Sequence, residues 1–245
     1  MSQKSQRRIE AMVAAVVSGG HQPIRSISET LGVSEMTVRR DVAGSRGRLA
    51  VLGGQIVANA DNGGNYALNS EENSHVVAKL AASRHAAAMI DLEDTVFLDC
   101  GSTMAHLASL IPPDLGITVV TYALNVASIA SRISGVNLVM IGGVFHSASA
   151  AFSGPAGLEV INGVRINKAF ISAGGVHRTL GVSCSNFYEV PAKLTALKNA
   201  ANAYVLSDTS KYGRVKPAHF SELTAFNGFI NEDGVFPRTD IEPLC

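Results

Sequence analysis

Asp99-Cys100-Gly101-Ser102-Thr103 closes a short apolar run, Thr95 to Asp99, and opens a helical stretch, Met104 to Leu110. A carboxylate, a residue without a side chain and two hydroxyls at such a junction are suited to a small anion. In open parallel sheets ligands bind beyond the carboxyl ends of the strands. Gly101 lets the backbone come close to a guest, and Ser102, Thr103 and the free N–H groups of the following helix form a cradle. A phosphate is the natural occupant, with Asp99 placed to hold a sugar hydroxyl. Gly142-Gly143 and Gly174-Gly175 also follow apolar runs and are expected to line the same crevice. Asn125, beyond the run ending at Thr121, is similarly placed. Lys211 follows the run Tyr204 to Ser207 and supplies a positive charge for an anion.

Other chemistry has less support. Cys100, Cys184 and Cys245 are too far apart for a metal knuckle or a disulfide framework. His146, His177 and His219 are scattered, and no metal or other cofactor is expected. Dinucleotide, P-loop and serine-hydrolase signatures do not occur. Cys100 lies within the proposed site with His106 near in sequence, but a buried inert thiol is the simpler reading. An aldose–ketose isomerase would need a carboxylate base and a group to stabilise an enediolate. Asp99, Glu189 and Lys193 could be drafted for it. That alternative leaves the N-terminal region unexplained.

A second kind of chemistry sits there. Ile24, Ile27, Leu31, Gly32, Val33, Val38 and Val42 have the spacing of two short helices joined by a tight turn. Ser34 is a good N-cap for the second, which runs to about Ala43 before Gly44. Val38 and Val42 set its core side, so Met36, Thr37 and Arg40 face outward. Glu35 and Arg39 flank that core side with the spacing of an ion pair. In a major groove Arg40 reaches guanine edges, and Met36 and Thr37 meet bases or a thymine methyl. Ser34 and the free N–H groups at the helix start suit a phosphate, as do Arg39, Arg46 and Arg48. Ser34, Glu35, Met36, Thr37, Arg39 and Arg40 are thus the candidate DNA-contacting set.

The surrounding elements must hold these two sites. An amphipathic helix, Ser5 to Val17, precedes the pair and stops at Gly19-Gly20. Runs Leu49 to Leu52 and Gln55 to Val57 flank Gly53-Gly54 as a hairpin, the wing of a winged helix-turn-helix. Residues 59–71, rich in Asn and Gly, form a linker between a domain at 1–58 and one at 72–245. The second domain opens with an Ala-rich helix, Glu72 to Ile90. Strands follow at Thr95 to Asp99, Ile117 to Thr121, Leu138 to Ile141, Ala169 to Ser172 and Tyr204 to Ser207. Helices lie near Met104 to Leu110, Val126 to Ile133 and Pro191 to Ala200. Near-continuous apolar strands alternating with helices predict an α/β fold with a covered parallel sheet.

Charge supports the division of labour. The 245-residue chain is formally neutral, yet up to Val57 it holds eight basic and four acidic residues, so the head is +4 and the remainder −4. A basic head suits a polyanion. Hydrophobic residues are 47% and charged residues 16%, which excludes wholesale disorder. With no signal sequence and no membrane-spanning run, the expected location is cytoplasmic.

The run LGVSEMTVRRDV, Leu31 to Val42, resembles the helix-turn-helix signature of the DeoR family of bacterial repressors, and VLGGQIV, Val51 to Val57, resembles its wing. AGSRGRLA between them departs from the family pattern. FLDCGSTM (Phe97 to Met104), IGGVFH (Ile141 to His146), AFISAGGVH (Ala169 to His177), CSNFYEVPAKL (Cys184 to Leu194) and SDTSKYGRVKPAHF (Ser207 to Phe220) resemble the family's sensor domain in order and spacing. The resemblance implies a sensor fold similar to ribose-5-phosphate isomerase. It implies effector contacts at Asp99 to Thr103, Ser172 to Gly175, Glu189 with Lys193, and Asp208 to Lys211. It further implies a homo-oligomeric, non-enzymatic repressor of operator DNA, released by a phosphorylated sugar. Deoxyribose-5-phosphate is the implied inducer, and deoxyribose or deoxynucleoside catabolic genes the implied targets.

Overall fold

The computed structural model describes residues 3–19, 22–45, 49–52, 54–58, 68 and 74–240. The chain divides into two units, Met1–Asn65 and Tyr66–Cys245. The expected features at Gly20, Arg46, Arg48 and Gly53, the start of the helix at Glu72, and the linker apart from Leu68 lie outside the described residues.

In the first unit, α1 (Gln3–Gly19) buries Ile9, Met12 and Val16, the spacing of one helical face. β1 (Gln22–Pro23) leads into α2 (Ile24–Leu31). Gly32 takes the left-handed conformation, φ 61°, and the Val33 N–H returns to the Ser28 carbonyl at 3.1 Å, so the helix ends sharply. Ser34 then caps α3 (Glu35–Ala43), its Oγ accepting the Thr37 N–H at 3.2 Å. β2 (Leu49–Leu52) and β3 (Gln55–Ala58) pair antiparallel, and β1 adds to the other edge of β3 with Gln22 opposite Ile56. The wing expected as a hairpin is therefore three-stranded. The extra strand is two residues long and ends in proline, which gives no strand signal. Ile27, Val38, Val42, Leu49 and Ile56 close the core with α1.

The second unit begins, apart from Leu68, with α4 (Val76–Ala87), shorter than the expected helix. Then come β4 (Thr95–Leu98), α5 (Ser102–Ser109), β5 (Thr118–Thr121), α6 (Leu124–Ala130) and β6 (Asn137–Met140). A hairpin of β7 (Val144–His146) and β8 (Ala151–Ser153) precedes α7 (Pro155–Asn162) and β9 (Ile166–Ser172). β10 (Gly175–His177), β11 (Gly181–Cys184), α8 (Val190–Asn199), β12 (Ala200–Leu206), β13 (Ala218–Ser221), β14 (Gly228–Asn231) and β15 (Gly234–Pro237) complete it. Leu68, inside the expected linker, is buried and donates its N–H to the Ala148 carbonyl at 3.0 Å.

Among the described residues the main sheet has the order β15-β14-β12-β9-β4-β5-β6, parallel except for β15. Val96, Phe97, Val119, Val120, Phe170 and Val205 fill its centre. β10, β11 and β13 form a small antiparallel sheet. From β4 the chain moves outward through β5 to β6, and from β9 it moves the opposite way through β12 to β14. Right-handed crossovers put the helices of the two halves on opposite faces. The reversal leaves a crevice between the carboxyl ends of β4 and β9, where this class of sheet receives ligands.

Candidate functional site

Asp99 follows β4 and Ser172 ends β9, so the crevice brings them together across neighbouring strands. Asp99 is fully buried. Its Oδ2 accepts the Ser172 N–H and the Ser172 hydroxyl, each at 2.7 Å, and the Lys193 ammonium; its Oδ1 accepts the Tyr122 hydroxyl. Lys193, also fully buried on α8, donates to the Ser172 carbonyl at 3.1 Å and Ser172 Oγ at 3.0 Å. Its Nζ lies 3.7 Å from Glu189 and 5.3 Å from the centre of the Phe220 ring. Asn186 donates to Glu189 Oε1 at 2.7 Å. The result is a closed network tying β4, β9, the turn after β5 and α8.

The electrostatics follow from that closure. Burial is the largest single influence on Lys193 and opposes its charge, but Asp99, Cys100, Glu189 and Cys184 together outweigh it and hold the amine well above its ordinary pKa, so it stays an ammonium. Burial pushes Glu189 up, against the pull of Lys193 and Asn186. Burial, with Glu189 and Asp99 nearby, raises Cys100 well above the ordinary thiol range, and its Sγ lies 3.2 Å from the Tyr122 hydroxyl oxygen. Cys100 is an inert thiol here. Asp99 is engaged by four donors of its own chain and serves as the hub of the network.

The cradle lies just beyond. Gly101 precedes α5 with φ 114°, a conformation open to glycine, and Ser102 and Thr103 form the first turn. Asn125, in the first turn of α6, donates to the Gly101 carbonyl at 3.5 Å and leaves Oδ1 buried without a partner. Asp99, Gly101, Ser102, Thr103, Asn125, Glu189 and Lys193 thus gather around one strand end. Other expected residues do different things. A Cβ on Gly143 would fall 2.2 Å from the Ser153 carbonyl oxygen, so this glycine allows the hairpin to close. Gly142, beside it, is exposed. Gly174 lies against the Lys216 side chain and Gly175 against the Arg214 carbonyl. Lys211 ends a 3₁₀ turn, Thr209–Lys211, and is half-buried.

Tyr122 escaped the sequence reading because it extends an apolar run and looks like core. Its ring also lines a cavity of about 310 Å³. Ile141, Phe152, Leu158, Tyr188 and Pro191 form much of the remaining wall. Among the described residues no group of three or more His, Cys, Asp or Glu could hold a metal ion. No described helix is long and apolar enough to cross a membrane.

In the first unit Glu35, Met36, Arg39 and Arg40 are exposed on α3, with Met36 at 66%. Such exposure is unusual for a methionine on a helix whose other face is packed. The Ser34 hydroxyl is occupied by its cap and lies 3.0 Å from Thr37 Oγ1. Glu35 and Arg39, expected to pair, form no ion pair; both stay solvated, where such a pair gains only a few tenths of a kcal/mol.

Comparison with known families completes the picture. Residues 8–45 match the DeoR-like helix-turn-helix domain, and residues 74–233 match the DeoR C-terminal sensor domain. The chain belongs to the DeoR family. It is a DNA-binding transcriptional repressor of that family. This DeoR-family chain is 29% identical to the deoxyribose operon repressor of Escherichia coli K12, over 95% of this chain and 92% of that protein. It is 28% identical to the lactose phosphotransferase system repressor of Staphylococcus epidermidis, over 92% of this chain and 91% of that one. These relatives are regulators by name, not enzymes. Among solved structures, eIF2B beta of Chaetomium thermophilum is 15% identical with a TM-score of 0.49, covering 68% of this chain and 52% of its own. Ribose 5-phosphate isomerase A of Methanocaldococcus jannaschii is 17% identical with a TM-score of 0.39, covering 55% and 53%. The chain thus matches about half the length of each of these structures.

Proposed function

We propose that this repressor is released from its operator by a phosphorylated sugar bound at the crevice between β4 and β9. The observation that carries the reading is the strand reversal there, with Gly101, Ser102 and Thr103 opening α5 beside it. N–H groups at a helix start receive a phosphate, and the helix dipole favours its charge. Deoxyribose-5-phosphate is the first candidate, on the strength of the relative named for the deoxyribose operon. Deoxyribose or deoxynucleoside catabolic genes are the corresponding targets.

At the other site, α3 enters the major groove. Arg40 and Thr37 read base edges, Met36 meets a thymine methyl, and Ser34 and Arg39 face the backbone, with Glu35 at the helix start. A DNA-binding domain at 1–58, a linker at 59–71 and a sensor at 72–245 let one unit report on the other. Two-fold half-sites call for a homo-oligomer, acting in the cytoplasm.

The test is calorimetric titration of deoxyribose-5-phosphate and other sugar phosphates into the protein, with and without its promoter DNA. Binding of one sugar phosphate, weakened by DNA by a factor of about 5 to 150, is expected. Binding of none of them would overturn the effector reading and leave the DNA-binding head intact.

A further inference from the structure

The cavity beside Tyr122 has a chemistry opposite to that of the cradle. It measures about 310 Å³ and lies among the ends of β5 and β6, the β7–β8 hairpin and the helices α7 and α8. Among its described lining residues none is charged, and Gly101, Ser102, Thr103 and Asn125 are not part of it. The walls are the rings of Tyr122, Phe152 and Tyr188 and the side chains of Ile141, Leu158 and Ile161. The polar side chains in that lining carry three hydroxyls, and each is already bonded elsewhere. Tyr122 donates to Asp99, Ser153 Oγ lies 2.7 Å from His146 Nε2, and the Tyr188 hydroxyl lies 2.9 Å from Ser149 Oγ.

Those bonds also hold the walls apart. Tyr122 is fixed through Asp99, and its carbonyl accepts the Phe152 N–H at 2.8 Å. The Tyr188 ring stacks on His146, with ring centres 3.6 Å apart and planes 5° from parallel. Asn199, ending α8, donates to the Ile161 carbonyl on α7 at 3.2 Å, so the two helices keep their spacing. A cavity with pinned walls does not collapse, and its lining atoms forgo contacts on the empty side. Water is a poor filler, since a buried water needs about two to four polar partners and apolar cavities stay dry. Pro155 opens α7 and Pro191 lies in the first turn of α8. Both line the cavity and both are exposed, so a guest enters between the two helix starts.

We infer that this cavity binds a small, flat, apolar molecule the size of two fused rings, a ligand class separate from the phosphorylated sugar proposed for the crevice. Size agrees. An apolar cavity of about 150 Å³ holds benzene, and this one is about twice as large. Three aromatic rings in the wall favour a flat guest, because rings pair face to face with an offset or edge to face. With its hydroxyls committed, the lining favours burial of apolar surface over hydrogen bonding, and a sugar or a phosphate would lose its hydration there without replacement. The inference holds whether or not the crevice takes a sugar phosphate. Its consequence for regulation comes from position. The guest lies against the ring of Tyr122, whose hydroxyl holds Asp99, and against Tyr188, the chain neighbour of Glu189. Occupancy therefore bears directly on the network around Asp99 and Lys193.

The test uses the full chain with naphthalene as the probe, followed by equilibrium dialysis and by the melting temperature. Naphthalene should bind with a Kd on the order of 0.1 mM and raise the melting temperature as its concentration rises. Leu158→Trp puts a ring into the space from α7. It should weaken naphthalene binding about tenfold or more without lowering the melting temperature of the free protein. Ala192→Leu fills the space from α8 and should act in the same direction, so a tryptophan that disturbs folding does not remove the test. Deoxyribose-5-phosphate at saturation should leave naphthalene bound. No binding by the wild-type protein would overturn the inference. Equal binding by wild type and the folded variants would place naphthalene elsewhere and overturn it as well. Complete displacement by deoxyribose-5-phosphate would make the cavity part of the effector site, and the inference of a separate apolar ligand would fall.

Discussion

Lys193 and Asp99 show how far a single buried pair can organise a site. Both side chains are fully buried, and each satisfies the other's charge while the Ser172 backbone and hydroxyl and the Tyr122 hydroxyl take further bonds. Replacing a buried pair by apolar groups can be neutral, but removing one partner strands the other charge. Lys193→Met should therefore destabilise the protein by about 3–5 kcal/mol. Lys193→Met with Asp99→Leu should recover much of that, and urea unfolding of the two single variants and the double variant measures the coupling. If the single and double variants were equally unstable, the pair would not be the source of the cost. The thiols give a second check at this scale. Cys100 is buried and its pKa raised well above normal, and Cys184 is pushed up to about 12, chiefly by burial. Neither exists as a thiolate at pH 8. Iodoacetamide should label neither in the native protein and both after denaturation, read by peptide mass spectrometry. Native labelling of Cys100 would mean that the network opens readily.

At the scale of elements, Asp41 ties α3 to α1 and so holds the helix proposed to contact DNA against its support. Its carboxylate accepts from Arg8 Nε and Ser5 Oγ, both at 2.6 Å, and the Arg8 bond holds its pKa below the ordinary carboxylate value. A lowered folded-state pKa contributes stability above the unfolded value, and that contribution is lost as pH falls through the lower one. Asp41→Asn should thus lower the melting temperature at pH 7, and the difference from wild type should close as the pH falls below the unfolded aspartate pKa, 3.8. A difference unchanged down to pH 2 would point to packing rather than charge. Asp41 also marks what could be read beforehand. The turn, the Ser34 cap and the inward valines of α3 were legible because caps and helical spacing are local signals. The Asp41–Arg8 tie joins positions 33 residues apart and has no local signature. The parallel strands β4, β5, β6, β9 and β12 were legible as apolar runs; parallel β14 was not, since its four residues open on glycine and close on asparagine, and β7, β8, β10 and β11 are three or four residues long and sit in loops bounded by glycine. Within the crevice, Gly101 to Thr103 announced themselves by a strand-to-helix junction. Tyr122 did not, since its hydroxyl matters only through Asp99.

At the scale of the molecule, a neutral chain carries a +4 head and a −4 remainder, so its attraction to DNA is confined to one unit. Affinity for any duplex should fall steeply with salt, by a slope of about −0.9 in log K against log salt for each phosphate neutralised. The effector is proposed to act on how the heads fit adjacent half-sites, leaving each head's own phosphate contacts in place. Deoxyribose-5-phosphate should then lower affinity for the operator while leaving weak binding to random duplex, and its salt slope, nearly unchanged. Arg40→Ala separates the same two quantities from the DNA side. Arg40 is exposed on the outward face of α3 and is assigned to a base edge, so its loss should cost about 1–3 kcal/mol on operator and little on random DNA. Fluorescence anisotropy with operator and scrambled duplexes, across a salt series, reads both effects in one set of titrations. Equal losses on the two duplexes, with a slope shallower by about one, would reassign Arg40 to a phosphate. An effector that weakened random and operator binding alike would mean that it disturbs the head itself, so that coupling runs through the fold of α3 rather than through the spacing of two heads.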